Sequence, residues 1–143
     1  MQIKQLSVFV ENKPGRLAEI TEVLAAANVD IRAISVADTS DFGILRVIVD
    51  KPNEAVTALK TSGMTVSLTD VIAIGIDDQP GSFAKYIRAL ADAGLAIEYM
   101  YAFVSRDKGK AYIIIRADQG DKASQVLSEV GADILTPEKL YNM

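Results

Sequence analysis

The sequence predicts an α+β protein in which the order βαββαβ occurs twice, each antiparallel sheet carrying its helices on one face. Two observations predict it. Shifting the 143-residue sequence by 66 places Pro14 on Pro80, Gly15 on Gly81, Leu24 on Leu90, Ile31 on Ile97 and Gly43 on Gly109. After a two-residue insertion the shift becomes 68 and pairs Ala55 with Ala123, Leu59 with Leu127 and Gly63 with Gly131. Agreement in order over nearly the whole chain marks a duplication. The second observation is periodicity, which passes from strand-like to helical and back within each copy.

Leu6, Val8 and Val10 alternate as a half-buried strand does, and Ile72, Ile74 and Ile76 repeat the pattern. Pro-Gly then opens a helix in each copy. Its apolar stripe runs Leu17, Ile20, Leu24, Ala27 in the first and Phe83, Ile87, Leu90, Ala91 in the second, with Arg16, Glu19 and Glu22 on the outer face. Asn28 and Gly94 stand where the helices end, as residues that tolerate a left-handed backbone. Strands are expected at Asp30–Val36 and Gly43–Val49, then at Ala96–Val104 and Lys110–Ala117, each pair joined by a polar turn. A short helix starts at Pro52 and stops before Gly63, and "DKASQVLSEVG" is its counterpart. Short strands at Met64–Leu68 and Asp133–Leu135 close the units. The expected domains are 1–68 and 69–143, with almost no linker at Thr69–Asp70. This order is the ferredoxin-like arrangement, in which right-handed crossovers put both helices on one sheet face.

Composition narrows the chemistry. Half the residues are hydrophobic and 24% are charged, as in a globular chain. No run approaches the roughly 20 apolar residues of a membrane span. "MQIKQLSVFV" does not read as a secretory leader, so a cytoplasmic protein without a membrane partner is expected. Cys and His are absent, which removes thiolate nucleophiles, the commonest general base and the commonest metal ligand. No cofactor is expected. The carboxylates of Asp38–Asp41 are the densest candidate for a hard cation, but they lack calcium-loop spacing and read as a polar turn. A net charge of −4 with scattered Lys and Arg argues against nucleic acid.

The segment "ENKPGRLAEITEVLAAANVDI", Glu11–Ile31, resembles the signature of the ACT domain: a polar residue, Pro-Gly-x-Leu, a helix, then Asn28-Val29-Asp30-Ile31. The second copy, "DDQPGSFAKYIRALADAGLAIEY", keeps Pro80-Gly81 and Ile97 but has Phe83 for Leu and Ala96 in the place of Asp30. The resemblance covers about the whole chain and implies a tandem pair without a catalytic domain. It implies a regulatory module that binds a small ligand, most often an amino acid, between two ACT units. The implied ligand residues are Glu11, Asn12, Lys13, Pro14, Gly15, Arg16 and Leu17, with Asn28, Asp30 and Ile31, and in the second copy Asp78, Gln79, Gly81 and Ser82. Unpaired N–H groups at a helix start suit the ligand carboxylate. Asn12 offers donor and acceptor, and Asp30 would suit the ammonium. The plainer alternative is that Pro-Gly only punctuates the chain and Asn12 caps the helix. Asp78 and Ala96 point to a structural or differently selective second half.

Tyr99, Tyr101 and Phe103 share one parity, and Tyr112 is expected on the same face if Met100, Ala102 and Val104 turn to the helices. Such a face on this fold can stack RNA bases, but Val71, Ala73 and Gly75 stand in the first strand of that copy, with Glu98 nearby. A protein interface is expected instead, in a homodimer. The resemblance leaves two partners open: an amino-acid effector alone, or also a catalytic enzyme, as for the ACT-like small subunit of acetohydroxyacid synthase. A ferredoxin-like hydrolase of the acylphosphatase kind is the remote third reading. Arg16, Arg46 and Arg106 have no evident companions for it, and the chain is not expected to be an enzyme.

Overall fold

The computed structural model describes residues 3–38, 41–103, 105 and 107–143. The elements run β1 (Ile3–Glu11), α1 (Arg16–Ala26), β2 (Ile31–Asp38), β3 (Phe42–Val49), α2 (Pro52–Thr61), β4 (Val66–Asp77), α3 (Ser82–Asp92), β5 (Ile97–Phe103), β6 (Lys110–Ala117), α4 (Gly120–Glu129), β7 (Asp133–Ile134) and α5 (Pro137–Tyr141). The fold is α+β, ferredoxin-like, with the βαββαβ order repeated. The chain divides into two compact units, Lys4–Thr69 and Asp70–Met143, with Ile3 grouped with the second.

The division falls inside one strand. Sequence reading expects Met64–Leu68 to end before a link at Thr69–Asp70, whereas β4 is unbroken for 12 residues. Thr69, Asp70 and Val71 contain neither Gly nor Pro, and Thr and Val favour the extended backbone, so nothing stops the strand. The other departure is α5. Thr136 accepts a hydrogen bond from the Lys139 N–H at 3.1 Å and Pro137 occupies the first turn, a helix start that the strand assignment at Asp133–Leu135 leaves unread.

In the first unit β3 lies between β2 and β1, antiparallel to both. The start of β4 adjoins β1, where the Phe9 N–H donates to the Thr65 carbonyl at 3.0 Å. Leu6, Val8, Leu45 and Val47 face α1 and α2, against Ile20, Leu24, Ala55 and Leu59. The second unit repeats this with β6 between β5 and β4, and β7 on the far side of β4. Ile72, Ile74, Ile113 and Ile115 face Tyr86, Leu90, Ala123 and Leu127. Burying each such side chain is worth about 1.5–3 kcal/mol. The α3 stripe is corrected: Tyr86, the counterpart of Ile20, is buried, Ile87 is half-buried and Ala91 is exposed.

The opposite sheet faces differ. In the first unit Phe9 stacks on Phe42 at 4.9 Å between ring centroids, and both are exposed together with Ile44. In the second, Val71, Ala73, Tyr112 and Ile114 are all buried. Tyr112 does share a face with Phe103, its cross-strand partner at 5.5 Å. It is nevertheless no surface anchor, because only 3% of it is exposed and its hydroxyl donates to the Asp107 carboxylate. That hydrogen bond, with burial, raises the phenol above its usual range. Tyr99, Tyr101 and Phe103 are half-buried. Met100 packs on the helix side as expected, Ala102 is exposed, and Val104 lies outside the described residues. The large apolar side chains that are exposed, among the described residues, belong to the first unit: Phe9, Leu17, Ile34, Val36, Phe42, Ile44 and Leu68.

Candidate functional site

β1 ends at Glu11, and the next four residues turn the chain back into α1. The Asn12 N–H donates to the Asp41 carbonyl at 2.9 Å, Lys13 N–H to Glu11 at 2.8 Å and Arg16 N–H to Lys13 at 3.3 Å. The second unit builds the same turn from Asp78 N–H to Gly109, Gln79 N–H to Asp77 and Ser82 N–H to Gln79. Gly15 and Gly81 sit at the N-caps with φ of 90° and 89°. A side chain at such φ is strained, which explains the glycine by itself. A Cβ at either position would also have no neighbour within 4 Å, so the chain lies open to close approach.

Neither helix carries a side-chain cap. Asn12 therefore does not cap α1, and the plain punctuation reading loses its proposed bond. The first helical bonds run from Glu19 N–H to Gly15 and from Lys85 N–H to Gly81. Among the described residues, no hydrogen bond takes up the N–H groups of Leu17, Ala18, Phe83 or Ala84. These donors sit at the positive end of a helix dipole and can accept an anion.

Several charged groups nearby are paired. Lys13 lies 3.1 Å from Glu11, Arg16 lies 3.2 Å from Glu19, and Lys110 lies 2.9 Å from Asp77. Arg16 thus has a companion that the sequence reading did not assign, and Arg106 lies outside the described residues. The hydrogen bond and charge of Lys13 hold the Glu11 carboxyl below its ordinary value, and Lys110 does the same to Asp77. All these groups are surface pairs, worth little in stability.

The structure gathers Glu11, Asn12, Lys13, Pro14, Gly15, Arg16 and Leu17 at one end of the first unit. It puts Asn28, Asp30 and Ile31 at the other. Asn28 takes the left-handed conformation at φ 57° and Asp30 opens β2. There the Asp30 N–H donates to the Asp50 carboxylate at 2.8 Å, the Asp50 N–H returns to the Asp30 carbonyl at 3.1 Å, and Arg32 pairs with the Asp30 carboxylate at 3.0 Å. The whole of β3 separates Asp41 from Asp50, on the order of 25 Å at the usual rise of a strand. Within one unit Asn12 and Asp30 cannot touch one small ligand. Asp78, Gln79, Gly81 and Ser82 do lie together at the second turn, while Ala96 and Asp118 repeat the latch of Asp30 and Asp50.

Three hollows adjoin these turns. One of about 110 Å³ lies in the first unit beside Asn12 and Lys13, walled by Leu17, Val36 and Leu45. Its counterpart in the second unit, beside Asp78 and Gln79, measures about 330 Å³. Strand register maps one onto the other and shows how they differ: Val36 becomes Ala102, Gly43 becomes Ala111, Leu45 becomes Ile113 and Leu17 becomes Phe83. The third, about 330 Å³, lies in the first unit between Glu11, Arg16 and Glu19 and the Ser62–Thr65 stretch. In the second unit Ser82 and Lys85 replace Arg16 and Glu19, and the Lys85 ammonium reaches toward Gly131, the counterpart of Gly63. Sequence reading did not assign Val36, Leu45, Ala102 or Ala111 to a site, and its 66-residue match of Gly43 with Gly109 is corrected: β3 and β6 align at the 68-residue shift, with Asp41 opposite Gly109.

Among the described residues no group of three or more acidic side chains could hold a metal ion, and the Asp38–Asp41 turn includes residues outside them. Among the same residues, no helix is long and apolar enough to cross a membrane.

The model of a family described as an ACT domain pair matches residues 1–143. A crystal structure of a protein from Bacteroides thetaiotaomicron is similar over 100% of this chain and 98% of that one, at 44% identity and a TM-score of 0.94. The regulatory subunit of aspartate kinase from Thermus thermophilus, in a ligand-free form, is similar over 90% of this chain and 92% of its own, at 20% identity and a TM-score of 0.67. That from Thermus flavus gives 89%, 91%, 20% and 0.62. At this identity the Thermus structures show a shared fold. No curated protein matches the chain.

Proposed function

The chain belongs to the ACT domain pair family, and from that premise we propose that it is a non-catalytic regulatory protein whose effector is an amino acid held near the Pro-Gly turns. Its two domains are 1–68 and 69–143 on this reading. The observation that carries it is the pair of uncapped helix starts, where free N–H donors follow a left-handed glycine in both units. A free amino acid presents a carboxylate and an ammonium close together. The helix start takes the carboxylate, and side chains of the turn, Asn12 or Asp78, take the ammonium. Asp30 cannot join the Asn12 turn of its own unit, and the reading includes a homodimer with ligand at an ACT–ACT interface. A cytoplasmic location belongs to the same proposal.

The test is a thermal-shift screen of all twenty amino acids at millimolar concentration, with Asn12→Ala and Asp30→Ala as controls. An effector at 100 times its Kd stabilises the native state by about 2.7 kcal/mol. Each kcal/mol raises the midpoint of a domain this size by roughly 2–8 °C. No shift with any amino acid overturns the proposal.

A second reading adds a catalytic partner. The Thermus proteins that share the fold carry the name of a regulatory subunit of aspartate kinase, which favours an enzyme of amino-acid biosynthesis as the partner over a solitary sensor. Affinity capture of the tagged chain from its own cells decides between them: an obligate subunit brings down a large catalytic chain in fixed ratio.

A further inference from the structure

We infer that the hollow in the second unit is the effector site proper, and that its ligand is an aliphatic α-amino acid of the size of valine to methionine. The inference rests on the amino-acid reading above and narrows it to one unit and one side-chain class.

Size comes first. At about 330 Å³ the second hollow reaches the lower end of small-molecule sites, which hold roughly 300–1,000 Å³. The first, at about 110 Å³, has a third of that space. The gain comes from one strand position where a branched side chain is replaced by Ala, Val36 by Ala102; the neighbouring Leu45 is matched by Ile113, of similar size, and Gly43 by Ala111. Ala102 lines the hollow across from the turn, so the space opens where a ligand side chain would descend from a backbone held at the helix start. Phe83, larger than the Leu17 it replaces, takes back part of the width.

The floor is apolar, formed by Ile76, Met100 and Ile113 beside the two alanines. These five side chains offer no partner for a hydroxyl, amide or charge on a ligand, and burying such a group against them is unfavourable; the polar residues of the lining are Asp77, Asp78, Gln79 and Tyr101. An aliphatic side chain meets no such penalty, and each methylene buried improves affinity about fourfold. The rim supplies the opposite chemistry. Asp77 is engaged with Lys110 at 2.9 Å, but Asp78 forms no ion pair among the described residues. Its carboxylate complements an ammonium. At the matching place the first unit has neutral Asn12, followed by Lys13. Asp78 is thus no defect in the second copy, but the group that orients a ligand whose tail fills the enlarged cup.

Calorimetric titration of the full chain with Ala, Val, Leu, Ile and Met, and with Ser, Asp, Lys and Phe, tests this. The expected result is one ligand per chain, affinity rising about fourfold per methylene from Ala upward, and no heat from Ser, Asp or Lys. Ala102→Val, which restores the first unit's residue, and Ala111→Leu, which fills the cup, should each weaken binding at least tenfold. Asp78→Asn should weaken it as well, and Thr57→Ala on the exposed side of α2 should not. Ala102 is exposed, so its variant keeps the test decisive if Ala111→Leu lowers the ligand-free melting point. Aliphatic binding that ignores both filling substitutions overturns the site. Binding of a polar amino acid that is lost in Asn12→Ala overturns the inference and leaves the regulatory reading standing. No binding by any amino acid overturns both.

Discussion

At Gly15 φ is 90° and at Gly81 it is 89°, yet the hollow beside Asn12 and Lys13 measures about 110 Å³ and its counterpart beside Asp78 and Gln79 about 330 Å³. The turns are copies in backbone and hydrogen bonding, because a left-handed N-cap needs glycine and the bonds that close the turn are made by main-chain atoms. The side chains around them have no such constraint. One strand position across from the turn is smaller in the second unit, Ala102 for Val36, and one on the rim is Asp78 for Asn12, so the chemistry beside the turn differs while the backbone does not. The same contrast runs through the outer sheet faces. Phe9 in the first unit corresponds to Gly75 in the second, and its cross-strand partner Ile44 corresponds to Tyr112, so the ring that fills this part of the face comes from the neighbouring strand.

The widest test of the comparison is whether the two cores carry equal weight. Leu24 and Leu90 are counterparts, each 1% exposed. Leu24→Ala and Leu90→Ala should each cost about 2–5 kcal/mol in urea unfolding. Equal costs with one shared transition mean that the units unfold together; a second transition in either variant breaks that. The outer faces give a sharper contrast. A Cβ at Gly75 would lie 3.1 Å from the Tyr112 ring, and the buried ring has little room to yield. Gly75→Ala should cost about 1–3 kcal/mol. Phe9→Ser, at its counterpart, should stay within about 0.5 kcal/mol because that ring is 52% exposed. Similar losses at both positions would mean that the first face is covered in solution. Thr136→Ala removes the cap of α5, an element without a counterpart in the first unit, and should cost about 1 kcal/mol by the same denaturation measurement.

The smallest effect concerns charge, where the two turns should agree. Glu11 and Asp77 are both held below their ordinary values by a lysine. A depressed folded-state value means a contribution present above the unfolded carboxylate value and lost as pH falls through the folded one. Carboxylate NMR titration should therefore put both midpoints below those of an unstructured peptide. Lys13→Met and Lys110→Met should each return one midpoint toward normal, and raised salt should move both the same way.

Much of the fold was legible because the repeat and the periodicities report backbone and burial directly. Leu6, Val8 and Val10, with Ile72, Ile74 and Ile76, face the helices as their alternation requires. The helix ends at Asn28 and Gly94 adopt positive φ because few residues tolerate it. Reading α3 by its own spacing chose Ile87, whereas carrying Ile20 across the shift gives Tyr86; the repeat was the better guide because both copies fill the same space. The site was less legible. Asn12 and Asp30 sit in one motif only 18 residues apart in sequence, but α1 carries the chain back along the sheet between them. Ala102, which opens the second hollow, is silent in a motif search, since what matters is the volume it leaves empty.

The 12-residue β4 has a practical consequence for anyone dissecting this pair. Multidomain chains are usually separated where a protease finds an exposed, pliable link. Here the boundary at Thr69–Asp70 is held in strand hydrogen bonding, so limited proteolysis should nick the turns before it reaches that peptide bond. A chain ended there by truncation fares no better, because each half would keep a severed strand. The first would lose the continuation of that strand, and the second would begin with a raw edge open to pairing with its neighbours, a known route to aggregation. Two domains by ancestry, the pair is a single piece for expression, cleavage and inheritance.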